Sequence, residues 1–98
     1  MSDKYILDGK TPVSADLMTW AKWFETANRH VARDQIGEVG ISTVFLGINH
    51  QFGNGPPLLF ETMIFGGNHD RHQTRASTWK EAEQQHAEAV AIVRGSMH

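Results

Sequence analysis

Residues 38–67, EVGISTVFLGINHQFGNGPPLLFETMIFGG, concentrate the chain's β-branched and aromatic side chains in two runs split by a glycine- and proline-rich loop. Val39, Ile41, Thr43, Val44, Phe45, Leu46 and Ile48 form the first run, and Leu58, Leu59, Phe60, Thr62, Met63, Ile64 and Phe65 the second. Such residues suit a pleated, packed surface, so the pattern predicts two long strands, with Gly53 to Pro57 outside both. Neither run alternates cleanly, because Val44 to Leu46, Leu58 to Phe60 and Met63 to Phe65 are consecutive apolar residues. Both faces of the sheet therefore carry apolar side chains, and each needs a cover.

Working outward, Tyr5, Ile6 and Leu7 run into Asp8-Gly9, a strong turn signal, and predict a short edge strand or ordered arm. Ser14 or Asp16 caps a predicted helix through about Ala32, with Leu17, Trp20, Phe24, Ala27 and Val31 on one face and Trp23 at its flank. Residues 33–37 read as a polar connection, and the segment HDRHQTR at 69–75 as a loop. Thr78-Trp79-Lys80-Glu81 is a capping box that opens a second helix. Its stripe is Trp79, Ala82, His86, Ala89, Val90 and Val93, and Gly95 ends it. The expected architecture is α+β in β-α-β-β-α order: a two-layer, antiparallel sheet built on a long β-hairpin, with two helices packed on one face.

The chain's 98 residues suit one domain. With no cysteine, disulfides, thiolate metal sites and cysteine nucleophiles are excluded. Neither a leader-like N-terminus nor a long apolar run is present, so the expectation is an intracellular protein with no membrane contact. Nine Lys+Arg against eleven Asp+Glu leave a net charge of −2, too little positive charge for general nucleic-acid binding. Arg29/Arg33 and Arg71/Arg75 are basic pairs able to hold one phosphate-bearing ligand, although solvated surface arginines satisfy the same pattern.

No nucleophile elbow, phosphate loop, dinucleotide fingerprint or kinase motif is present, so no catalytic residue is assigned and no cofactor is expected. Six histidines raise the question of a metal. His69, Asp70 and His72 are the densest candidate ligands, with His50 and Glu61 as further donors, but no helical H-E-x-x-H pair fixes them. Glu61 lies mid-strand between Phe60 and Thr62, where a carboxylate must be paired, either as a ligand-anchoring acid or with an arginine such as Arg29. His86, on the apolar stripe, reads as a hydrogen-bonded core-edge histidine. The loop from Gly47 to Pro57 adds Asn49, His50 and Phe52, either as function-bearing residues or as a plain hairpin connection.

The segments DGKTPV (8–13), DLMTWAKWFETANRHVA (16–32), STVFLG (42–47), PPLLFETMIFGG (56–67) and STWKEAEQQHA (77–87) resemble a family of small proteins recurring in bacteriophage and prophage genomes. The resemblance spans about residues 4 to 94 and implies a phage-encoded protein in the cytoplasm of an infected bacterium. It carries no residue roles. In that setting the expected function is a non-enzymatic accessory protein that binds a host defence component or sequesters a nucleotide-like small molecule. For the second version, Arg71 and Arg75 would pair with phosphate, Phe52 would stack on a base, and Asn49, His50, Glu61 and Asn68 would complete the ligand set. The rivals are a small metal-dependent hydrolase and a virion or assembly protein. Two partly apolar sheet faces further imply self-association as a homodimer or larger symmetric oligomer.

Overall fold

A computed structural model describes residues 3–51 and 53–96. The element order is β1 (Tyr5–Asp8), β2 (Thr11–Ser14), α1 (Leu17–Thr26), β3 (His30–Ile36), β4 (Val39–Phe45), β5 (Phe60–Phe65), β6 (Gln73–Ala76) and α2 (Trp79–Gly95). Strands β3 to β6 form an antiparallel meander in sequence order, and β1 and β2 form a separate hairpin. The class is α+β, as expected, and β4 and β5 are the two strands read from residues 38–67, paired from Gly40↔Phe65 to Phe45↔Phe60.

Two further strands flank them. β3 and β6 occupy stretches expected to be helix end, connection and loop, because their sequences, HVARDQI and QTRA, are polar. As edge strands they each have one neighbour and face water, which permits charged side chains that hide the strand pattern. The first helix accordingly stops at Thr26, not Ala32: Ala27 turns to an extended backbone, and the Asn28 side chain accepts a hydrogen bond from the His30 amide at 3.1 Å. Val31, assigned to the helix stripe, belongs to β3.

Helix α2 lies across one face of the sheet and contacts all four strands. Its N-terminus has the first bond of the capping box, the Glu81 amide donating to Thr78 Oγ1 at 3.1 Å, while the Glu81 carboxylate reaches back to the hydroxyl, which donates to Glu81 Oε1 at 3.0 Å. Helix α1 instead sits at one end of the sheet, beside β1. Trp20 Nε1 donates to the Gly47 carbonyl at 3.0 Å, Trp23 meets Phe45 edge-on, and Phe24 stacks against Trp20. This docking needs Gly47: its φ is +76°, and a Cβ there would come within 2.5 Å of the Phe24 ring.

Under α2 the core divides in two. Val39, Ile41, Ile64, Ala89 and Val93 form one apolar cluster, and Phe45, Leu59, Phe60, Ala76 and Ala82 the other. Between them the inward row of the sheet is Ala32, Thr43, Thr62 and Thr74, read directly from the strand pairing. Among the described residues no helix is long and apolar enough to cross a membrane.

Candidate functional site

Two places combine polar chemistry with a defined geometry. The first is the row between the clusters, where Asp34 Oδ2 lies 2.7 Å from His86 Nε2, His86 Nδ1 lies 2.7 Å from Thr43 Oγ1, and Thr43 Oγ1 lies 2.6 Å from Thr62 Oγ1. An acid, an imidazole and a hydroxyl in that order match the parts of a nucleophilic triad. The hydroxyl end is sealed, however: Thr43 is 0% and Thr62 1% exposed, so no substrate carbonyl can approach either oxygen. The chain is a buried polar network that α2 closes onto the sheet, and its one solvated group is the half-exposed Asp34 carboxylate. His86 is thus the hydrogen-bonded core histidine its stripe position predicts.

The second place is the sheet face opposite α2. Directly paired residues in an antiparallel sheet share a face, so the register assigns the outward rows. Gln35, Gly40 and Phe65 form the first, Arg33, Ser42, Met63 and Gln73 the second, and His30, Val44, Glu61 and Arg75 the third. Down the middle, β5 presents bulky Phe65, Met63 and Glu61, while β4 presents small Gly40 and Ser42, then Val44. A ridge therefore runs beside a groove. Phe65, the last residue of β5, is 51% exposed, an unusual state for a phenylalanine paired within a sheet. A hollow of about 410 Å³ opens beside it over Gly40 and Ser42, bounded by Arg33, Gln35 and Glu38.

At the third row the Glu61 carboxylate is satisfied on one side only. Its Oε2 accepts from Arg75 Nε at 3.2 Å and from Gln73 Nε2 at 2.9 Å. The arginine is Arg75 rather than Arg29, which immediately precedes β3 at the end of the sheet, where it donates to the Phe45 carbonyl at 3.3 Å and lies 4.3 Å over the Phe24 ring. The Arg33 side chain makes no hydrogen bond or ion pair among the described residues.

The other expected ligand residues are split between the two ends of β5. Asn49 and His50 lie in the loop that enters it, where Asn49 Oδ1 accepts from the Gln51 and Leu58 amides at 2.8 and 3.0 Å and so closes the loop. Asn68 and Arg71 lie in the turn that leaves it, and Arg71 has a left-handed backbone, φ +70°, from which its amide donates to the Ile64 carbonyl at 2.7 Å. Five strand steps of about 3.4 Å put roughly 17 Å between those ends. Only Glu61 and Arg75 meet. Phe52 lies outside the described residues.

His69, Asp70 and His72 share the turn, but there Asp70 Oδ1 accepts from the Gly66 amide at 2.7 Å. Among the described residues no three His, Asp or Glu side chains converge on a point that would hold an ion. Phe65, Met63, Gly40 and Ser42 were not singled out from sequence as functional, and Arg33 only as the partner of Arg29 in a phosphate-holding pair. The missing signal was register, since ridge and groove become adjacent only once Gly40 is paired with Phe65. No protein-family model, curated protein or solved structure matches the chain.

Proposed function

We propose that this chain is a non-enzymatic accessory protein, phage-encoded as its sequence resemblance implies, that acts by binding a protein through the open face of its four-stranded sheet. The observation that carries this reading is the ridge of exposed Phe65 and half-buried Met63 beside a small-residue groove, rimmed by Arg33, Gln35, Gln73 and Arg75. An apolar centre within a polar, arginine-bearing rim is the composition of a protein-contact surface. The separation of Asn49 and His50 from Asn68 and Arg71 favours a protein over a nucleotide as the bound species, because one nucleotide would have to span both ends of β5. The sealed hydroxyls of Thr43 and Thr62 favour binding over turnover.

The test is affinity capture from phage-infected host cells with the wild-type chain and with Phe65→Ala. A stoichiometric partner retained by the first and lost by the second supports the reading. Equal retention by both, or a saturable thermal shift with a cyclic or ADP-ribose-type nucleotide, refutes it.

A further inference from the structure

Resting on that reading of the open face, we infer that, while no host protein holds it, the face is covered by a second copy of this chain, joined about a two-fold axis running along the strands between β4 and β5, which host binding would displace. Such an axis lies in the plane between two facing sheets and carries each β5 onto the partner's β4 at the same row. Because Phe65 and Gly40 are direct cross-strand partners, the ridge residue of one protomer then falls over the other's Gly40, twice, and Met63 falls over Ser42 in the same way. This is the self-complementarity an isologous interface requires, bulky against small in both directions. An axis across the strands would instead stack Met63 on Met63 and Arg33 on Arg33.

Charge and area agree with this arrangement. The operation places Arg33 of one protomer above Gln73 of the other, within a guanidinium's reach of Glu61, whose Oε1 accepts no hydrogen bond among the described residues. An unpaired arginine thus meets a half-satisfied carboxylate. The chain exposes 6372 Å² at 11.0 kDa, where a compact monomer of that mass exposes about 5,600 Å². The excess, roughly 750 Å², is close to the ~800 Å² that each partner buries in a standard interface.

Sedimentation velocity on the full chain from 1 to 200 µM (roughly the range in which a standard interface is populated) is the test, with circular dichroism confirming the fold of each variant. We expect twice the 11.0 kDa chain mass for the wild type. Phe65→Ala should weaken association about 30-fold or more, as loss of a central aromatic does. Gly40→Phe should abolish it by setting Phe against Phe, yet should fold, because a Cβ at Gly40 meets only Gln35 Oε1, at 3.4 Å. The double variant G40F/F65A exchanges ridge and groove and should restore the dimer. A dimer indifferent to both single changes, or a double variant no better than G40F, overturns the proposed axis. A wild-type monomer throughout overturns self-association but leaves the open face as a binding surface, provided Phe65→Ala still loses a captured host protein. If that capture is also indifferent to Phe65→Ala, both readings fall.

Discussion

Replacing Thr43 by valine keeps the shape of a fully buried side chain and removes one oxygen, which lies 2.7 Å from His86 Nδ1 and 2.6 Å from Thr62 Oγ1. Two hydrogen bonds are lost at about 1 kcal/mol each, and the orphaned imidazole nitrogen and Thr62 hydroxyl stay buried at about 1–3 kcal/mol apiece; since one of them can find a backbone partner, a net cost of about 3 kcal/mol is expected. At a urea m-value of about 1.5 kcal/mol/M, that moves the unfolding midpoint down by about 2 M. The assay is tryptophan fluorescence against urea at one fixed chain concentration, because association would add its own stabilisation. The control converts the whole network to apolar side chains, T43V/T62V/H86L, which leaves only the solvated Asp34 unpartnered and should recover most of the loss. A midpoint shift under about 0.3 M for Thr43→Val, or a triple variant less stable than the single one, would refute the view that the network is costly to break but not to replace.

Three other outcomes follow from local geometry. Gly47→Ala should destabilise the fold by about 2 kcal/mol or more, through the left-handed backbone and the clash with Phe24, and should raise the solvent accessibility of Trp20 in fluorescence quenching. The Asp16 carboxyl is held below its usual range because it accepts the Thr19 amide at the start of α1. Its folded-state value is therefore depressed, so its stabilisation is fully present above the unfolded value of about 3.9 and fades as pH falls through the folded one; melting temperatures from pH 6 to 2 should show a shallower acid slope for Asp16→Asn. Added zinc or manganese should leave the melting temperature unchanged, and a saturable rise would reopen the hydrolase chemistry considered for His69, Asp70 and His72.

What was legible in the sequence was whatever the core selects. β4, β5 and α2 read out because Ile41, Phe45, Phe60, Ile64, Ala82 and Val93 must be buried, and the Asp8-Gly9 turn and Thr78 capping box because their backbones demand those residues. β3 and β6 were illegible since nothing packs on their outer edges, so Arg33, Asp34, Gln73 and Arg75 are compatible with a loop until a partner strand is known. Of the candidate site, the need to pair Glu61 and the core placement of His86 were visible as burial problems. Their partners were not: Asp34 is 52 residues from His86, and Arg75 is 14 from Glu61. Contacts at that range depend on strand pairing, which hydrophobic periodicity does not encode.

The threonine–histidine row also makes its own clock. Thr43 and Thr62 lie under α2 with almost no contact with water, so their hydroxyl protons have to wait for helix and sheet to part before they exchange with solvent. The proton shared with Asp34 sits at the solvated margin and needs only that carboxylate to swing aside. A gradient of exchange lifetimes should therefore run along one chain of hydrogen bonds, its outer member timing local breathing and its inner members the opening of the whole molecule.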